Sequence, residues 1–270
     1  MEDDIVRTLN VYLKMIIMSI QSTLLFRGSL LVNILTDFLR SLSTFLVILI
    51  SFFSISSFAG YDFVTVVFIF MFSHLSYGLC MMFFSSLRNF GDKVKAGELD
   101  IIMLKPVNTL GYVCCSSVNI GSVSHIIISI ILFVCLDDAF GIEWTLAKAL
   151  YFLLALISSA LLQGAILLVI SSLSFEMVDV RGLNNLYAGF REFTWYPLTV
   201  YNKVTQYIML SFIPLGYISF VPTGIFMKHE VNSMLPSVLI NGAPVLGIVV
   251  FILSYQYWKF KIRQYHSTGC

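Results

Sequence analysis

Long apolar runs separated by short polar segments dominate the chain. Six runs approach or exceed the roughly 20 residues that a helix needs to cross the hydrocarbon core of a bilayer. They are Leu42–Ala59, Phe63–Leu87, Leu110–Leu136, Leu146–Leu173, Val204–Phe226 and Val238–Tyr257. The six runs contain no Asp, Glu or Arg; their only Lys is Lys148, at the start of the fourth run, and they contain two histidines. Because a charge at the centre of a span costs about 2.5–3.5 kcal/mol, this pattern predicts six transmembrane helices.

A different periodicity precedes the first run. Apolar residues recur there at helical spacing, with polar residues mostly off the stripe: Ile5, Leu9, Tyr12, Ile16, Ile20 and Leu24. Such a stripe predicts an interfacial helix over residues 1–28, lying along the membrane surface. An ordinary extension of the first span is the alternative.

Composition supports the membrane assignment. Hydrophobic residues make up 58% of the 270 residues and charged residues only 11%, and the mean hydropathy is +0.90. Soluble domains carry about 25% charged residues. We therefore expect an all-α polytopic membrane protein forming one transmembrane domain over residues 1–270. A net charge of +1 offers no basic field for nucleic acid, and the odd cysteine count without a C-x-x-C spacing predicts neither disulfides nor a metal site.

Lysine and arginine indicate the orientation of the spans. They concentrate before span one, between spans two and three, between spans four and five, and after span six: Arg7, Lys14 and Arg27; Arg88, Lys93, Lys95 and Lys105; Arg181, Arg191 and Lys203; Lys259, Lys261 and Arg263. With six spans these segments share one side. The positive-inside rule predicts that both termini are cytoplasmic.

The connection at residues 88–109 contains the run KAGELDIIMLKPV. Gly97 precedes a predicted helix, Glu98–Leu104, whose first turn is acidic as the helix dipole favours. Pro106 prevents continuation. One apolar stripe is predicted for this helix: Leu99, Ile102 and Met103. We expect a short cytoplasmic helix that docks on a partner; a membrane-surface helix without a partner is the alternative.

The connection at residues 174–203 contains NNLYAGFREFTWYPLTVYN. It predicts a second cytoplasmic element between spans one to four (residues 42–173) and spans five and six (residues 204–258). Within the fifth run, Pro214 and Pro222 would interrupt helical hydrogen bonds. Pro236 and Pro244 would do the same around the start of the sixth run. The sequence leaves open whether the hairpin between spans five and six is a broken, partly re-entrant outer gate or the span is merely kinked.

Several of these runs resemble a known family. KAGELDIIMLKPV resembles the signature that follows the second span in type-2 ATP-binding-cassette (ABC) exporter permeases. FREFTWYPLTVYN followed by IPLGYISFVPTGIF is similar to a small six-span bacterial subgroup of that family. The terminal RQYHSTG also resembles that subgroup, although His266 stands where an acidic residue is usual. The resemblance covers essentially the whole chain.

The resemblance implies a permease subunit of an exporter in the bacterial cell membrane. Two such halves, identical or homologous, would pair over a separate ATP-binding-cassette dimer, and that dimer would bind ATP and Mg²⁺. The coupling helix of residues 88–109 would contact the ATPase through matching residues: Gly97, Glu98, Leu99, Asp100, Leu104, Lys105 and Pro106. Arg191 and Glu192 match a second cytoplasmic contact. The chain itself has no G-x-x-x-x-G-K-[ST] loop to cradle ATP phosphates, so we expect neither catalysis nor a bound cofactor in it.

Two histidines leave other functions open. His74 and His125 lie near the middles of spans two and three, where a titratable group is a candidate for the transport pathway. Histidine can carry protons near neutral pH, so a proton-coupled secondary carrier is one alternative. A neutral histidine bonded to a neighbouring helix explains each position equally well. A non-transporting membrane scaffold or immunity-type protein is a further alternative.

Overall fold

The computed structural model describes residues 2–177, 179–227 and 241–265. This part of the chain folds into helices without β-strands. The α-helices are α1 (Glu2–Leu25), α2 (Arg27–Ser54), α3 (Phe63–Phe84), α4 (Phe90–Lys95), α5 (Glu98–Met103), α6 (Thr109–Cys115), α7 (Val123–Phe140), α8 (Leu146–Leu173), α9 (Arg181–Glu192), α10 (Lys203–Tyr207), α11 (Phe220–Phe226) and α12 (Ala243–Arg263). A π-helical turn, Ile208–Phe212, extends α10.

Five helices in the described residues are long and apolar enough to span a membrane: α2, α3, α7, α8 and α12. A sixth candidate is a bent pair, Lys203–Phe212 and Leu215–Phe226, with 78° between its halves. The expected all-α polytopic membrane protein is confirmed. The fourth predicted span coincides with α8, and the predicted start of the sixth lies outside the described residues.

The first and third spans differ from their predicted limits. α2 begins at Arg27 instead of Leu42, because the polar residues before Leu42 do not interrupt the helix. The third run is divided, since α6 ends at Cys115 and the span proper starts near Ile120. At this break the Asn119 N–H donates to the Met82 carbonyl over 3.0 Å, so the chain bonds to α3 rather than to its own next turn.

α1 is a helix separate from α2, with the break at Phe26. It packs on α6 and on the break that follows: the Tyr12 hydroxyl accepts from the Asn108 N–H over 3.1 Å, and the Ser19 hydroxyl accepts from the Val118 N–H over 2.8 Å. Its position along the membrane surface stays a prediction.

α3 and α8 form the centre of the bundle. In their most apolar stretches 72% and 67% of residues are buried, compared with 11% in α2 and 17% in α12. The segment Val66–Phe72 of α3 is at most 1% exposed and packs against α7, α8 and α11. α2 therefore presents most of its apolar surface outward, as a helix facing lipid or a second subunit would.

The segment after α8 follows α3 over its whole length. From the end of α3 that leads into α4 and α5, here called the α5 end, to the opposite end, its contacts are Arg181–Asp92, Asn184–Arg88, Arg191–Tyr77, Thr194–Ser73 and Tyr196–Phe58. Residues 181–199 thus run antiparallel to α3 from one end of the bundle to the other. The prediction that residues 174–203 form a surface element at one end does not fit this path.

Residues 203–226 form a hairpin instead of one continuous span. Pro214 has no N–H to continue the helix, and the chain turns there. Phe212 and Pro214 line a cleft that Tyr187 of α9 also lines, and the Phe212 side chain is 86% exposed. At its far end Phe226 packs against Trp144, which precedes α8. Because the hairpin starts near Tyr196 and returns to Trp144, both its ends lie at the end opposite to α5. These contacts indicate a re-entrant segment over residues 203–226, whereas most of the hairpin predicted between spans five and six lies outside the described residues.

Candidate functional site

The predicted coupling helix is α5, and Gly97 starts it. Gly97 has φ +70°, a left-handed conformation that glycine adopts without the steric cost of a side chain. Its N–H donates to the Val94 carbonyl over 3.1 Å, so the chain reverses between α4 and α5. The predicted helix, Glu98–Leu104, is observed as Glu98–Met103.

α5 divides its apolar residues between two faces. Leu99 and Ile102 are buried, at 0% and 6% exposure. On the other face Ile101 is 64% and Leu104 86% exposed, and Met103 is 44% exposed. Met103 therefore does not share the buried stripe predicted for it, and Ile101 joins the outward face. Glu98 and Pro106 are also exposed.

The remaining residues of the motif fix α5 to the bundle. The Lys105 ammonium donates to the Tyr112 hydroxyl over 2.6 Å and lies 4.0 Å from the centre of the same ring. Lys105 therefore holds α5 against α6. Asp100 is half-buried.

An aromatic cluster packs against α4, the helix that precedes α5. Phe90 of α4 packs on Trp258 of α12, with ring centres 4.8 Å apart, and on Phe175 after α8, at 5.7 Å. Phe175 and Trp258 are 5.2 Å apart, so the three rings touch one another. α4 is thus packed directly on α12 and on the residue that follows the end of α8.

Arg191 lies inside the bundle. It is 6% exposed, and its guanidinium carbon is 3.8 Å from the Tyr77 ring centre and 5.2 Å from that of Trp195. An exposed contact with an ATPase does not fit this burial. Glu192 is half exposed and lies 3.9 Å from Arg40 of α2.

A polar cavity of about 110 Å³ lies between α2, α3, α7 and α9. Both histidines singled out in the sequence line it, with ring centres 5.6 Å apart. His125 Nδ1 lies 3.1 Å from the Ser41 hydroxyl, and His74 Nδ1 donates to the Phe70 carbonyl over 3.1 Å. Charged residues also line it: Asp37, Arg40, Arg88 and Arg191. Across the described residues, no three His, Cys, Asp or Glu side chains are grouped to hold a metal ion.

The charge of Arg191 is poorly compensated. None of the ion pairs in the described part of the chain includes it, and its Nη1 is buried without a hydrogen-bond partner. Contacts with aromatic faces contribute about 0.5–2 kcal/mol each, whereas burying an ion costs several kcal/mol. Tyr77 and Trp195 therefore orient the guanidinium and offset only part of that cost.

Comparison with known proteins identifies the family. A family model described as ABC-2 family transporter protein matches residues 38–269, which include every element described here except α1 and the start of α2. No curated protein and no solved structure matches the chain. The chain belongs to the ABC-2 transporter family, and it is a multi-pass membrane permease subunit of an ABC transporter.

Proposed function

We propose that this chain is one half of an exporter in the bacterial cell membrane, driven by a separate ATP-binding-cassette ATPase that docks on α5. Two copies, or this chain and a homologous one, enclose the transport route. The ATPase dimer binds ATP and Mg²⁺, and ATP-driven closure moves α5. Export follows from the resemblance to exporter permeases, and cytoplasmic termini follow from the positive-inside rule.

The observation that carries the proposal is the outward face of α5. Glu98, Ile101 and Leu104 recur at a spacing of three, so they lie on one side of the helix. Two exposed aliphatic residues with an acidic neighbour provide an apolar contact with a polar edge, a common arrangement at interfaces. A six-residue helix is unstable alone, but Leu99 and Ile102 anchor its inner face. The outward face is therefore held ready for a partner.

The supports beneath α5 provide a path for movement. Close-packed interiors transmit displacement because they leave little free volume. α4 rests through Phe90 on Trp258 and Phe175, which belong to α12 and to the end of α8. A displacement of α5 would therefore act first on these two helices, which also make the most extensive helix–helix contact in the described bundle.

Copurification tests the docking. The tagged permease is solubilised from its native membrane, and mass spectrometry looks for an ATPase that carries a Walker A motif. We expect wild type to retain this ATPase and Leu104→Asp to lose most of it, because a carboxylate replaces an apolar contact. Leu146→Asp is the matched control: Leu146 is 78% exposed, but it lies at the end opposite to α5, and an acidic residue at the start of a helix is tolerated.

Transport assays separate this function from the alternatives. If Leu104→Asp and Leu146→Asp retain equal amounts of ATPase, docking on α5 is refuted. Substrate movement that persists with a hydrolysis-deficient ATPase and follows a proton gradient would indicate a secondary carrier using His74 or His125. An ATPase that binds without any substrate movement would indicate a scaffold.

A further inference from the structure

The polar cavity contains a guanidinium without an anion. Arg191 is 94% buried, given its 6% exposure, it lines the cavity, and its Nη1 has no hydrogen-bond partner in the described structure. Tyr77 and Trp195 hold the guanidinium in place. The guanidinium is thus oriented before any ligand arrives, which lowers the entropic cost of binding.

Positive charge predominates around this donor. Arg40 and Arg88 lie on the walls with Arg191, against one lining carboxylate, Asp37. Glu192 is not among the residues that line the cavity, but it lies 3.9 Å from Arg40. Three guanidinium groups and two carboxylates leave one positive charge in excess. Asp37 interacts electrostatically with Arg40 and Arg88, and Glu192 lies beside Arg40, so the uncompensated charge is that of Arg191.

Size and access fit a polyatomic anion. A cavity needs only about 10–15 Å³ to hold a water, and this one measures about 110 Å³. Its rim is open, since the Arg40 side chain is 68% exposed. Leu35 and Leu39, on the same stretch of α2, are 57% and 50% exposed. A charged group could therefore enter the cavity while an attached acyl chain stays on α2.

From these observations we propose that the cavity binds an anionic phosphate group, with Arg191 as its central ligand and Arg40 and Arg88 at its edges. Guanidinium suits this role because its planar donors pair with phosphate oxygens in a bidentate manner. The exposed leucines favour the headgroup of an anionic phospholipid; free inorganic phosphate offers the same chemistry. The proposal concerns binding and does not depend on the ATPase.

Thermal unfolding of the purified full-length permease tests the site. Detergent-solubilised protein is titrated at constant ionic strength with phosphatidylglycerol, with phosphatidylcholine of the same acyl chains, or with inorganic phosphate. We expect phosphatidylglycerol to raise the melting temperature of wild type more than phosphatidylcholine does. In Arg191→Gln the half-effective concentration should rise about tenfold or more, as expected when a charge-assisted hydrogen bond is lost.

Two further variants make the result decisive. Arg181→Gln is the control, because Arg181 belongs to the same helix but pairs with Asp92 outside the cavity. It should behave like wild type. Arg40→Gln removes an exposed wall cation, so it tests the site even if Arg191→Gln fails to fold, and it should also weaken the response.

Comparing the titrated ligands identifies the source of the phosphate group. A response to phosphatidylglycerol alone indicates a lipid headgroup, and a response to inorganic phosphate with the same variant pattern indicates the free ion. Either result supports the site. A wild type that responds to neither, or an Arg191→Gln and Arg40→Gln pair that responds like wild type, overturns it.

Discussion

Leu99 and Leu104 lie five positions apart in one motif, yet they face in opposite directions. Leu99 has no exposed surface, while Leu104 is 86% exposed. Truncating a buried leucine to alanine costs about 2–5 kcal/mol, since it leaves a cavity, whereas exposed truncations usually stay within about 0.5 kcal/mol. We predict that Leu99→Ala lowers the melting temperature of the purified permease clearly and that Leu104→Ala leaves it unchanged. Similar losses in both variants would contradict this arrangement.

The sequence predicted the limits of α5 but not its faces. Gly97 and Pro106 act on the backbone locally, so they mark where the helix can begin and end. Which of its apolar residues is buried depends on what packs against the helix, and the preceding helix α4 is itself placed through Phe90 by a residue far away in sequence, Trp258. The prediction that Met103 shares the buried stripe is wrong for that reason. The burial of Arg191 depends in the same way on Tyr77, which is far away in sequence.

α8 and α12 approach each other closely at Gly247. A side chain at Gly247 would place its first carbon 1.9 Å from the Ser158 carbonyl oxygen. The Gly247 N–H also donates to the Ser158 hydroxyl over 2.9 Å, and that hydroxyl donates to the Ala243 carbonyl over 2.9 Å. Small residues allow such close backbone contact between membrane helices.

Alanine at Gly247 should therefore push the two helices apart. Inserting a methyl group into a tight contact typically costs about 1–3 kcal/mol, and a clash with backbone is at the upper end. We predict that Gly247→Ala lowers the melting temperature, or the yield of monodisperse permease. Gly28→Ala serves as the control, since nothing lies within 4 Å of a side chain there and alanine favours a helix. If the two variants are equally stable, the contact is looser than described.

Hydropathy predicted α8 correctly but misplaced the next element. α9 contains arginine, asparagine and glutamate, so it does not resemble a span in sequence. Some polar groups of α9 and of the residues after it bond to α3 or to the residues just beyond its end: Asn184 donates to the Arg88 carbonyl over 2.8 Å, and Thr194 bonds to Ser73 over 2.7 Å. The run Val204–Phe226 is apolar enough to cross, but Pro214 folds it back. Average hydropathy does not distinguish a crossing from a hairpin that turns back.

Over the whole molecule, this path redistributes the positive charges. Arg181 pairs with Asp92 at the α5 end. Lys203 comes shortly after Tyr196 in the chain and lies at the opposite end, where Tyr196 packs against Phe58. Arg191 lies between them. The α5 end still collects most of the basic residues, including Lys93, Lys95, Lys105 and Lys261. The positive-inside rule therefore continues to predict that this end is cytoplasmic.

The position of Lys203 provides a direct test of the hairpin. In a permease with its cysteines replaced, single cysteines are introduced at Lys203, at Glu143 and at Asp179, all of which are exposed. We predict that a membrane-impermeant maleimide added to intact cells labels Lys203→Cys and Glu143→Cys, and labels Asp179→Cys only after permeabilisation. If residues 204–226 crossed the membrane as one span, Lys203 would lie on the same side as Asp179. Labelling of Lys203→Cys that requires permeabilisation would therefore restore Val204–Phe226 as the fifth crossing.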